Sequence, residues 1–87
     1  MTYEIRLAHD AAAYLQRVDR RTFERFQERL EQIATDPYGP HTKSLAGPGK
    51  RRAARVGGWR IIFTVETTAR VIYVSDVGPR GQVYRGL

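Results

Sequence analysis

The residues with the most chemistry to offer crowd the second half of this 87-residue chain: Lys50, Arg51, Arg52 and Arg55 in one short run, then Arg60, Arg80 and Tyr84. A guanidinium is a planar fork of N–H donors that fits phosphate oxygens two at a time. It stays protonated, so it can clamp developing negative charge and can scarcely carry a proton away. Tyr73 and Tyr84 fall among these arginines, and arginine interleaved with tyrosine suits single-stranded nucleic acid, phosphate contacts and base stacking together. On an extended run, residues 51, 53 and 55 point one way and 50, 52 and 54 the other. Arg51 and Arg55 therefore share a face, and Arg60 joins them if the register of the following hairpin turns its polar side that way. The plainer reading of the same run is a solvated basic edge strand, a defence against edge pairing.

Charge separates the two halves. Residues 1–46 hold seven bases and seven acids, whereas residues 47–87 hold eight bases and two acids, so the whole excess of +6 sits in the second half. Thirteen of the fifteen bases are arginine, with Lys43 and Lys50 the only lysines. The second half has too few acids to neutralise its arginines internally, which points to a polyanion or an acidic protein partner.

Other chemistries are poorly provided for. With no cysteine, and His9 and His41 as the only histidines, the ligand clusters of a transition-metal site are missing, as are disulfides and thiol nucleophiles. Neither a Walker loop nor a GxGxxG occurs, and Pro48 deprives Gly47-Pro48-Gly49 of an amide that a phosphate cradle needs. His9 reads as a helix-start residue. The N-terminus lacks an apolar run of the signal-peptide kind, and no stretch approaches the roughly 20 apolar residues of a membrane span. A cytoplasmic protein without membrane attachment is the expectation.

Elements able to position the arginines follow from periodicity. Length allows one small domain, residues 1–87, and 41% hydrophobic residues allow it a core. Tyr3 to Leu7 alternates as a strand. Asp10 reads as the N-cap of a short helix with Ala11, Leu15 and Val18 on one face. A second helix follows Asp19, with Phe23, Phe26, Leu30 and Ile33 inside and charged residues outside, and Asp36-Pro37 ends it. Pro37 to Gly49 reads as a loop. Lys50 to Val56, Trp59 to Glu66 and Arg70 to Val77 then read as three strands, joined through Gly57-Gly58 and Thr67-Thr68-Ala69. Trp59, Ile61, Phe63 and Val65 fall on one face of the middle strand, and two helices can cover only that face. The expected fold is α+β: a βααβββ chain, an antiparallel sheet with a two-helix layer packed on one face.

Two stretches carry a family resemblance. Arg55-Val56-Gly57-Gly58-Trp59-Arg60-Ile61-Ile62-Phe63 resembles the R-x-G-x-aromatic-R-hydrophobics pattern of the RelE/ParE toxins of bacterial toxin-antitoxin pairs, and Val77-Gly78-Pro79-Arg80-Gly81-Gln82-Val83-Tyr84-Arg85 resembles their V-G-x-R...V-Y ending. The resemblance covers most of the chain and implies a type II toxin. In the RelE branch it implies metal-independent cutting of mRNA in the ribosomal A site, with Arg60, Arg80 and Tyr84 at catalytic positions, no cofactor, and mRNA, ribosome and a cognate antitoxin as partners. Lys50, Arg51, Arg52 and Arg55 would then bind RNA phosphates. Two departures stand out: Ala53 occupies the place of a family lysine, removing a proton carrier, and Pro79 replaces the residue, often histidine, before the family arginine. The ParE branch poisons DNA gyrase and lacks the catalytic set, so a gyrase inhibitor, or a toxin that has lost cleavage, is the alternative. A basic nucleic-acid-binding regulator without toxicity accounts for the charge equally well.

Cleaving RNA without a metal requires removing a proton from a 2′ hydroxyl, stabilising the phosphorane and protonating the leaving 5′ oxygen. Arg60 and Arg80 suit the second task. Tyr84 suits the first, since neighbouring cations favour phenolate, or it stacks on a base, or it merely packs the C-terminus. An antitoxin whose acidic residues offset the +6 is the expected resting partner, with opposite charge acting mainly on the association rate.

Overall fold

The computed structural model describes residues 2–47 and 50–79. Its elements are β1 (Glu4–Leu7), α1 (His9–Arg17), α2 (Arg20–Thr35), β2 (Thr42–Ser44), β3 (Arg51–Val56), β4 (Trp59–Glu66) and β5 (Val71–Pro79). The strands form one sheet in the order β1-β5-β4-β3-β2, with both helices on one face, so the α+β class read from the sequence holds.

Four particulars differ from that reading, the first being that Phe23, placed inside by its spacing, is 39% exposed. The sheet is mixed, because β1 runs parallel to β5, in a register that sets Ile5 beside Ile72 on the helix-covered face. A fifth strand, β2, lies inside the Pro/Gly-rich stretch read as loop; three residues are too few for a period-2 signal, and pairing with β3 creates the strand. Helix α1 begins two residues earlier than expected, with Ala8 as its N-cap and Asp10 in its first turn, where a carboxylate still favours the dipole.

The core is the apolar face of the meander against the two helices. Phe26 and Ile33 of α2 meet Ile61 and Phe63 of β4 and Ile72 and Val74 of β5, with all six at most 1% exposed. Phe26 stands edge-on to Trp59, ring centres 6.0 Å apart, and the Trp59 indole N–H donates to the Tyr14 hydroxyl at 2.9 Å. A bulge interrupts the β4–β5 ladder: Ile62 pairs with Asp76 but Phe63 with Val74, leaving Ser75 extra. It reverses the facing of β5 beyond that point, so Val77 turns to the helices and Asp76 and Gly78 to the open face.

Asp19 is the N-cap of α2, and the Thr22 hydroxyl, with smaller help from its amide, holds the Asp19 carboxyl below its ordinary value. A depressed carboxyl stabilises the fold above its unfolded pKa, near 4, and that contribution is lost as pH falls through the folded value. Asp19→Ala is therefore expected to melt below wild type at pH 7, with the two melting temperatures converging toward pH 3, as followed by circular dichroism.

Candidate nucleic-acid interface

The sheet face turned away from the helices carries the candidate site. Arg55 and Val56 of β3 lead into a two-residue turn, Gly57-Gly58, and Trp59 and Arg60 lead out. Gly57 takes φ +57°, a conformation open to glycine at little cost, and a Cβ there would stand 2.6 Å from an Arg25 guanidinium nitrogen of α2. This tight closure sets the register, which places Arg55 directly opposite Arg60, Ala53 opposite Ile62 and Arg51 opposite Thr64. Trp59 points into the core, so Arg60, next along the strand, points to the open face. Arg51, Arg55 and Arg60 therefore share that face, as the alternation required.

Arg60 is 6% exposed, with its Nε buried, and lies across from Gly78 on β5. Side chains directly opposite on neighbouring strands have Cβ atoms roughly 4.5–5.5 Å apart, and like charges so placed oppose the fold. The Arg55–Arg60 pair thus concentrates positive charge on the open face, where Asp76, opposite Ile62, is the nearby acid by register.

Strand β2 completes the site. Lys43 pairs with Ala53 and so lies on the same face, and an open groove of about 290 Å³ is lined by Pro40, His41, Thr42, Lys43, Ala53, Arg55 and Arg60. Its apolar lining residue, Ala53, is buried and packs with Ile62 and Leu45 as a small second core. Lys43 and His41 escaped sequence reasoning because β2 was invisible to it; a Thr-Lys-Ser triplet flanked by Pro40 and Gly47 gives no periodic signal.

The other basic residues go elsewhere. Arg52 lies on the opposite side of β3, where its Nε donates to the Pro37 carbonyl at 3.1 Å and a terminal nitrogen to the Thr42 hydroxyl at 2.8 Å. Its guanidinium also covers the Tyr38 ring at 5.1 Å. Arg52 therefore braces the segment that carries His41 and Lys43. Lys50 lines a separate cavity of about 440 Å³ beyond the end of α2, with Tyr38, Arg52 and Glu66. Tyr73, on the far side of the open face, lies under Arg6 at 5.9 Å. Arg80 and Tyr84 lie outside the described residues. Among the described residues no group of three or more His, Cys, Asp or Glu comes together to hold a metal ion, and no helix is long and apolar enough to cross a membrane.

The arrangement can bind a phosphate: two forks from adjacent strands, a lysine across from them and an apolar lining residue, Ala53. Comparison with known proteins bears on the family of the chain. Residues 5–84 match the family model of the ParE toxin of type II toxin-antitoxin systems, parDE. Among solved structures, the chain is similar to the archaeal RelE-RelB complex from Pyrococcus horikoshii, at 27% identity and TM-score 0.80 over 94% of this chain and 99% of that one. It is also similar to the E. coli toxin RelE in a mutant, free form, at 21% identity and TM-score 0.76 over 98% and 93%. The YoeB/ParE toxin from Agrobacterium tumefaciens matches at 14% identity and TM-score 0.77 over 88% and 98%. No curated protein matches the sequence.

Proposed function

The chain belongs to the ParE toxin family of type II toxin-antitoxin systems, and from that premise we propose that it is a metal-independent endoribonuclease that cuts mRNA on the ribosome and so stops translation. The observation that carries this reading is the register pairing of Arg55 with Arg60, both of which line a groove open to solvent. Cleavage passes through a phosphorane with more negative charge than the diester, and two preorganised guanidiniums favour that charge over the ground state. Arg51, farther along the same face, extends the basic track for neighbouring phosphates. Arg80 and Tyr84 are assigned by resemblance to the clamp and to stacking or proton removal. The cognate antitoxin is the resting partner, a reading supported by the similarity to a RelE-RelB complex.

A second reading, inhibition of DNA gyrase, is favoured by the family model that matches and by Ala53, which leaves a methyl group where the RelE branch has a lysine. Primer extension on cellular mRNA after brief induction separates the two. Codon-phased cuts that disappear in Arg55→Ala, at equal expression, are the expected result. Intact mRNA together with stalled replication and an SOS response would establish the gyrase reading instead.

A further inference from the structure

We infer that His41 is the proton carrier of the groove, the base that takes the 2′ hydroxyl proton of an RNA strand held by Arg55 and Arg60. The inference rests on the nuclease reading and supplies what that reading lacks among the described residues. As the 2′ oxygen is deprotonated it attacks the adjacent phosphorus. A bond from the 2′ oxygen to phosphorus forms, the bond from phosphorus to the 5′ oxygen breaks, and the proton passed to His41 is returned to that leaving oxygen. The products are a 2′,3′-cyclic phosphate and a 5′ hydroxyl. No water, metal or oxidant enters the balance.

The groove holds few groups able to do this. Guanidiniums donate and do not accept, and a lysine ammonium has three donors and no lone pair. An imidazole offers both a donor and an acceptor and is the side chain suited to exchanging a proton between pH 5 and 8. His41 lines the same groove as Arg55 and Arg60 and is exposed, so its ring meets solvent and incoming ligand alike. The charged side chains that line the groove with it are Lys43, Arg55 and Arg60. Asp76, the acid nearest by register, pairs with Ile62 and does not line it.

The fold also keeps His41 in place. It lies next to Thr42, whose hydroxyl accepts from Arg52 and donates to the Pro37 carbonyl at 2.9 Å, so the turn that carries the imidazole is tied to β3 from behind. Ala53, which lines the same groove, is 2% exposed and projects only a methyl group into it. At about 290 Å³ the groove is near the lower end of small-ligand sites, roughly 300 Å³, which suits one phosphate with its sugar.

The test is single-turnover cleavage of a defined mRNA on programmed ribosomes, from pH 5.5 to 8.5, with wild type, His41→Ala and His41→Gln. Positioned acid-base groups are worth roughly 100-fold to 10,000-fold, so both variants are expected to cut at least about 100-fold more slowly. They should also change the shape of the wild-type pH profile, and added imidazole should restore part of the rate to His41→Ala. A variant that cuts at the wild-type rate with the wild-type pH profile overturns the inference and leaves the nuclease reading intact. So does a slow variant whose pH profile is unchanged and which imidazole does not rescue, since that marks a structural role. Ribosome-bound mRNA left uncut by wild type itself would overturn both.

Discussion

Arg60→Lys is expected to cut ribosome-bound mRNA about 100-fold more slowly than wild type at saturating substrate, with little change in affinity. Lysine keeps the positive charge, and attraction to a polyanion depends chiefly on the number of charges that meet phosphates. What it loses is the fork. An ammonium is a point donor on a flexible stem and cannot present two parallel N–H groups to two phosphate oxygens, so the loss falls on the phosphorane, whose oxygens carry the added charge. Removing one preorganised donor of this kind costs on the order of 100-fold to 1,000-fold in rate. The position makes the effect large: Arg60 is 6% exposed and faces Arg55 across the ladder, so little water is present to take over its role. Rapid-quench cleavage over a range of ribosome concentrations measures it. A change confined to the concentration dependence, with the saturated rate intact, would reduce Arg60 to a binding residue and weaken the case for catalysis at this groove.

Phe26→Ala is expected to lower stability by about 3–5 kcal/mol, the usual cost of deleting a fully buried phenyl ring. Small domains have roughly 5–15 kcal/mol in total, so this is a large share. At roughly 4–8 °C per kcal/mol for a chain of this size, the melting temperature falls by about 12 °C or more. The ring is 0% exposed and stands edge-on to Trp59, the chain's one tryptophan. Its removal is therefore expected to show as a shift in indole emission as well as an earlier thermal transition. Because Trp59 anchors the first position after the hairpin turn, the cavity also loosens the strand that carries Arg60. Phe26→Leu, which refills most of the space, is expected to recover the larger part of the stability. A Phe26→Ala protein that melts with wild type would mean that the α2–sheet contact does not hold the core.

Much of this molecule was legible in the amino-acid sequence because its signals are local. The 3.6-residue spacing of Phe23, Phe26, Leu30 and Ile33, the Asp36-Pro37 stop and the strict alternation from Trp59 to Glu66 determine α2 and β4. Alternation is also enough to bring Arg51 and Arg55 to one face, and the register observed across Gly57-Gly58 adds Arg60 to them. Family membership was legible in the short stretches around Arg60 and Arg80 for the same reason.

What the tertiary structure alone decided is everything that depends on a partner distant in sequence. Strand β2 exists because β3 offers it an edge, the parallel seat of β1 exists because β5 does, and neither pairing leaves a trace in a run of three or four residues. The bulge at Ser75 turns Asp76 and Gly78 to the open face against the alternation of their own strand. Arg52 and Arg55 are alike in sequence, yet one ties down the segment after α2 and the other faces the groove, because successive residues of a strand point to opposite sides and only one side of this sheet has Pro37, Tyr38 and Thr42 to receive a guanidinium. Through that tie His41 and Lys43 come to stand beside Arg55 and Arg60, although 14 residues of sequence separate His41 from Arg55; periodicity records which way a side chain points, and only the folded chain records what it meets there.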